Sequence, residues 1–321
     1  MTLGPGAAPT IRMHVDTDFG GDPDDACAVA MLLGWPNVEL VGITTNLDRG
    51  GERAGCAAHL LSLVSRLEVP LAAGAAATLT EGKQWPSTCG DARYWSEPIA
   101  PRPSPPGAML ELLHRSITSG ATIVAIGAFT NLALLEILAP GSLRDVPVVA
   151  TAGWLTSPGP GYPPWGTEMD FNVRCDPRAA QIVLDARPAL TLVTLPASME
   201  AQLRAADLPR LEAAGPVGTL LARQAQAVAN EFDNFALGRV HAALPDDLLN
   251  FHWDPVTCAV AAGWSGCTVV EQRVAFDPNL PGLLCLPEGH LSRVVVDIDA
   301  DAFRETWLGC IERLAHDARL R

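Results

Sequence analysis

Residues 11–33 read IRMHVDTDFGGDPDDACAVAMLL, and the whole reading grows from this stretch. Its first six residues, 11–16, form a short apolar run of the kind that makes a buried strand, and the Ala- and Leu-rich segment 23–35 reads as a helix. Between them DTDFGGDPDD (16–25) packs five carboxylates into ten residues with no Lys, Arg or His. Gly20 and Gly21 let the backbone turn tightly. Asp22 before Pro23 fits a helix N-cap followed by proline at the first helical position. Asp24 and Asp25 then occupy the first turn, where the helix dipole favours negative charge.

The same alternation continues outward. Segments 38–45, 121–127, 146–153 and 190–196 are further buried strands, and 50–67, 107–119, 130–138 and 176–186 are helices. This pattern predicts an α/β fold: a single open, mostly parallel, twisted sheet with helices on both faces. Groups that do chemistry in such sheets gather beyond the carboxyl ends of the strands, so the carboxylates following the first strand belong at that rim. Two long segments, 82–106 and 154–169, are rich in Pro and aromatic residues and read as binding loops or lids. The last third adds helices at 216–231 and 252–263, strands at 267–276 and 292–299, and a final helix at 301–317. No repeat, low-complexity tract or linker divides the chain, so 1–321 is expected to form one domain.

The formal charge of −14 argues against nucleic acid or an anionic membrane as partner, because phosphate would be repelled. Eight cysteines are scattered without a Cys-x-x-Cys pair, which suggests buried free thiols in a reducing compartment. The stretch MTLGPGAAPTIRMH lacks the basic start and apolar run of a signal peptide, and no run of about 18 apolar residues is present. The expected location is cytoplasmic.

Carboxylates this close repel one another and resist ionisation unless a positive charge sits between them. Capping accounts for Asp22, Asp24 and Asp25 but not for Asp16 and Asp18, which close a buried strand. An EF-hand loop counted from Asp16 would need a Glu where Cys27 stands. The Asp-x-Asp opening is shared with aspartyl-phosphate phosphatases, although Gly20 stands where those carry Thr or Val. An oxygen-only donor set suits a hard divalent cation, gripped by Asp18 at the strand end and Asp25 at the helix start.

Five ordered motifs resemble the calcium-dependent nucleoside hydrolases of the inosine/uridine-preferring type: DTDFGGDPDDACAVAML, VGITT, VAIGAFTNLALL, MDFNVRCDPRAAQIV and WDPVTCAVA. The resemblance runs from about 11 to 317, with two extra residues in the first motif. It implies hydrolysis of the N-glycosidic bond of ribonucleosides, with Ca2+ as cofactor and Asp18 as the base that activates a calcium-bound water. It further implies Asp18, Asp25, the main-chain carbonyl of Ile126 and Asp254 as metal ligands. Asp24, Asp170 and Asn172 would hold the sugar, and Asp16 and Asp22 would support the site from behind. Homodimers or homotetramers are common in the family.

The departures concern the base. Trp253 stands where one branch of the family has a catalytic His, and His252 precedes it. A Trp here resembles the purine-preferring branch, where indoles stack on the base; Trp85 or Trp95 would supply the opposite face. In NLDRGG, Asp48 would accept a ribose hydroxyl, while Arg49 would either signal an acidic substrate from within the pocket or point to solvent. The function expected is therefore hydrolysis of purine nucleosides. The alternatives are a non-catalytic nucleoside- or sugar-binding protein of the same fold, and a hydrolase of an unusual ribosyl compound.

Overall fold

The computed structural model describes residues 9–20, 22–277 and 282–320. Gly21 and the N-terminal residues 1–8, on which part of the turn and leader readings fell, lie outside them. The strands in chain order are β1 (Ile11–Thr17), β2 (Val38–Thr45), β3 (Leu71–Ala73), β4 (Thr122–Ala125), β5 (Pro147–Thr151) and β6 (Ala189–Val193). They continue with β7 (Gln202–Arg204), β8 (Leu248–Phe251), β9 (Cys267–Asp277), β10 (Gly282–Cys285) and β11 (His290–Ile298). Nine form one sheet in the order β10-β9-β11-β6-β5-β4-β1-β2-β3, parallel from β11 to β3 and antiparallel where β9 joins β10 and β11. Strands β7 and β8 make a separate antiparallel pair.

Alternation along the strands feeds two apolar cores, one on each face of the sheet. Val124 and Val149 join Met13 and Val15 against the helices Asp24–Leu33, Glu52–Leu63 and Ala300–Leu320. Ile123, Ala125, Val148 and Ala150 pack with the helices Ala108–Thr118, Thr130–Leu138 and Pro177–Asp185. Both sides of the sheet are thus dry, which is why its strands read as continuous apolar runs rather than alternating ones. The chain leaves β1 toward β2 on one side, and β4 lies on the other, so the sheet switches direction at β1. That switch point places the end of β1 beside the ends of β4 and β5.

Three expectations change. The helix expected from 23 starts at Asp24 with Pro23 as its cap; Asp22 still accepts a bond from the Asp24 N–H at 3.2 Å, so it caps one residue earlier than the formal position. Cys56 and Cys89 are joined as a disulfide with their Cα atoms 6.1 Å apart, so these two are not the free thiols read from the sequence. They meet because the long loop folds back on the helix Glu52–Leu63, where Thr88 donates through its main-chain N–H to the Gly20 carbonyl at 2.7 Å. Gly20 carries a φ of +80°, and a side chain there would press on the Cys89 sulfur. Finally, Trp95 sits in the core with its ring edge against His59, does not line the cavity at the strand ends, and cannot flank a base there. Among the described residues no helix is long and apolar enough to cross a membrane.

Candidate active site

A cavity of about 380 Å³ opens at the carboxyl ends of the central strands. Asp18 enters from the end of β1, Ile126 from the end of β4, Thr151 from β5 and Leu195 from just beyond β6. Asp22, Asp24 and Asp25 come from the turn and helix after β1; Trp253 and Asp254 come from the start of the helix Trp253–Ala261. Trp85 with Pro86, and Met169 through Asn172, reach in from the two long loops.

Burial is the dominant electrostatic fact. Asp24, Asp25 and Asp254 are each nearly inaccessible, and loss of water together with mutual repulsion pushes all three well above the ordinary carboxylate range. Asp18 is raised mainly by burial, against the lowering influence of the nearby Arg53 guanidinium. Asp22 is lifted to about 6 by burial, although Asn250 donates to it across the chain from β8. Thr17 donates to Asp25, and Thr151 donates to Asp254 at 2.8 Å, each fixing one carboxylate oxygen.

Asp24, Asp25 and Asp254 each offer an oxygen, and these oxygens lie within 4.8 Å of one another. Three buried oxygen donors with no compensating side-chain charge among them fit a hard divalent ion such as calcium or magnesium. This trio differs from the expected set. Asp24, assigned to the sugar, belongs to it, while Asp18, assigned to the metal, lines the same cavity outside it. Asp18 is held over the main chain of Gly127, where a Cβ would fall 2.8 Å from its Oδ1 and 2.6 Å from its N. Only glycine permits that approach.

Asp16 lies behind the cavity, fully buried, as expected. Its Oδ1 accepts from Thr44 at 2.5 Å and Asn131 at 2.7 Å, and its Oδ2 accepts from Asn46 at 3.1 Å. Burial lifts its carboxyl to about 6 despite these bonds. Replacing Asp16 with Ala would strand three buried donors, each costing about 1–3 kcal/mol when unmet. Removing one buried charge offsets part of that, so the expected loss is roughly 2–4 kcal/mol, read as a lower urea midpoint. A loss below about 1 kcal/mol would show that the network does not hold the rim together.

On the ribose side one expectation fails and one alternative is decided. Asp48 does not line the cavity: its carboxylate accepts from Thr45 Oγ1 at 2.6 Å and from the main-chain N–H groups of Arg53 and Ala54 at 3.0 Å, so it caps the following helix. Arg49 is exposed on a short 3-10 turn. The arginine in the cavity is Arg53, which the sequence reading missed. Its Nε donates to the Leu47 carbonyl at 3.0 Å, its Nη1 to the carbonyls of Asp18 and Phe19, and its Nη2 to that of Pro86 at 3.1 Å. Asp22 was expected behind the cavity and instead forms part of its wall.

Asp170 and Asn172 both line the cavity. Asp170 Oδ2 accepts from the Gly153 N–H at 2.7 Å and its Oδ1 from the Val173 N–H at 3.2 Å, yet burial raises it to about 6. Asn172 donates to the Thr151 carbonyl at 3.0 Å, leaving its own Oδ1 for another partner. Trp253 stacks on Phe251 with ring centroids 4.8 Å apart, and Trp85 meets the edge of Phe171 at 5.0 Å. The Trp85 Nε1–H is buried without an acceptor. His252 turns into the core against Trp307 and Phe303, where burial drives its imidazole down to about 3 and neither ring nitrogen finds a partner.

Residues 13–305 match the family described as inosine-uridine preferring nucleoside hydrolase. The pyrimidine-specific ribonucleoside hydrolase RihA of Salmonella typhimurium is 29% identical over 217 residues, which is 65% of this chain and 68% of that protein. The fold superposes on a purine-preferring ribonucleoside hydrolase from Gardnerella vaginalis with a TM-score of 0.78 at 20% identity, covering 95% of this chain and 99% of the other. It also superposes on an inosine-uridine preferring nucleoside hydrolase from Bacillus anthracis with a TM-score of 0.65 at 18% identity, covering 96% and 100%.

Proposed function

Because the chain belongs to the inosine-uridine preferring nucleoside hydrolase family and is an N-ribosyl hydrolase of the glycosidase type, we propose that it cleaves purine ribonucleosides to ribose and free base with the help of calcium. The observation that carries this reading is one cavity lined by a carboxylate trio and by two indoles, Trp85 and Trp253.

Asp24, Asp25 and Asp254 would hold the ion, with Asp18 and the Ile126 carbonyl beside it in the same cavity. When bound, calcium supplies the counter-charge that lets these carboxylates ionise together and offers a Lewis acid to sugar hydroxyls. Asp18 acts as general base: it takes a proton from a water as that water attacks the anomeric carbon. Asp170 and the free Oδ1 of Asn172 accept hydrogen bonds from sugar hydroxyls and orient the ring. The sugar gains positive charge as the glycosidic bond breaks, and the buried carboxylates stabilise it there. Trp253, braced by Phe251, and Trp85, braced by Phe171, cover the base. The chain is similar in sequence to a pyrimidine-specific enzyme and in fold to a purine-preferring one, so purine preference rests on these aromatic walls.

The test is ribose release from inosine and uridine. Inosine is expected to be cleaved with the higher kcat/KM, with activity lost on chelation and restored by Ca2+. Uridine preference would overturn the purine reading, and indifference to chelation would overturn the metal reading. Trp253→Ala is expected to remove about 1–2 kcal/mol of base stacking and to raise KM for inosine roughly 5- to 30-fold with a smaller change in kcat. An unchanged KM would place the base elsewhere.

A further inference from the structure

The cavity is unbalanced in charge. Six carboxylates line it (Asp18, Asp22, Asp24, Asp25, Asp170 and Asp254) against the single guanidinium of Arg53. Four of the five guanidinium N–H groups are already given to main-chain carbonyls, so Arg53 has little left for a ligand. A divalent ion leaves the balance negative even when two of the six carboxyls are protonated.

Aromatic faces complete the setting. Trp85 and Trp253 bound the space left for a base, and the face of an indole attracts cations through its quadrupole. One cation already uses this: the Lys83 ammonium lies 4.0 Å from the centre of the Trp85 ring, although Lys83 is exposed and outside the cavity wall. The described residues that line the cavity include no Lys, His, Cys or Tyr. His252, next in sequence to Trp253, is packed into the core. The unpaired Trp85 Nε1–H can donate a hydrogen bond but does not give up its proton.

We propose that the preferred substrates are N-ribosides whose base carries a fixed positive charge, such as pyridinium ribosides. This rests on the reading of the cavity as the nucleoside site and narrows its substrate class. With a neutral base, the electron pair of the breaking C1′–N bond makes an anion that must be protonated as it leaves. With a cationic base, the same pair neutralises the ring, and the base departs without a proton donor. The water oxygen bonds to C1′, its proton passes to the Asp18 carboxylate, and the products are ribose and a neutral base. The carboxylate excess draws the cation in, and the two indoles receive it. The same excess repels a 5′-phosphate, so inosine 5′-monophosphate is not cleaved.

The experiment compares nicotinamide riboside, whose pyridinium has no proton to lose, with inosine, each rate divided by that compound's spontaneous hydrolysis in the same calcium buffer. Enzymes that protonate the leaving base draw about 10²–10⁴-fold from it, and lose that factor on a base already charged. Here the acceleration of nicotinamide riboside is expected to equal or exceed that of inosine; a smaller acceleration overturns the proposal. A binding arm uses Asp18→Asn, for which slow turnover is expected. Nicotinamide riboside should bind it at least tenfold tighter than inosine by calorimetry, and adding Trp85→Leu should shrink that preference. Equal or weaker binding of the cation also overturns the proposal. Should wild type bind both compounds yet release ribose from neither, the proposed hydrolytic mechanism fails, and the binding arm alone decides the charge preference.

Discussion

Asp18→Asn is expected to lower kcat for inosine by about 10²–10⁴-fold while changing KM far less. Asparagine keeps the size of the side chain and its place over Gly127, but it cannot accept a proton from water. Asp18 repels Asp25 and Asp254 in the cavity. Removing its charge therefore relieves the fold, and the variant should melt no lower than wild type. The two readouts together separate a lost base from a lost structure. A variant that retains more than about a tenth of the wild-type kcat would move the base role to another carboxylate, and Asp22, in the same wall, is the next to test.

Calcium is expected to raise Tm strongly at pH 7.5 and hardly at all at pH 4.5. Burial and mutual repulsion raise the folded-state pKa values of Asp24, Asp25 and Asp254 above those of the unfolded chain. Without a cation, such groups favour the fold while protonated, below the unfolded value near ~4, and that stability drains as pH rises through the raised folded values. The metal-free protein should thus lose Tm from pH 4.5 to 7.5. An ion bound only by the folded state at about 100 times its Kd adds about 2.7 kcal/mol, or about 4 °C for a chain of this size. At pH 4.5 protons compete for the same oxygens and the gain shrinks. A calcium-independent Tm at pH 7.5, or an undiminished shift in Asp254→Ala, would remove the metal from the trio.

What was legible in the sequence was what short-range physics writes there. The run before Asp16 made a strand, the glycine and proline signals made the turn, and the Ala-rich segment made the helix, because dihedral preference and periodicity act within a few residues. The strand–helix alternation then placed the cluster at the sheet's rim, and resemblance added Asp254, which lies far along the chain. The rest was decided by packing between distant segments. Asp48 looked like a cavity residue, but the main-chain N–H groups of Arg53 and Ala54 claim it as a cap. Arg49 and Arg53 are four residues apart, and only the docking of the long loop, with Pro86 offering its carbonyl, selects the second. The one local hint was that Arg53 is followed by Ala54, Gly55, Cys56 and Ala57, small residues that mark a face about to be covered.

Trp85 and Trp95 are equally aromatic and lie in the same loop; one reaches the cavity and the other the core, according to where that loop meets Phe171 and His59. The Cys56–Cys89 bond depends on the same fold-back and leaves no trace in the spacing of the cysteines. By itself the sequence determined the architecture and the acidic rim, since both follow from local periodicity and from carboxylates that need a counter-charge. Only the tertiary structure decided which side chains from residues 46–106 face the site, because that choice depends on contacts between loops whose own residues carry no periodic signal.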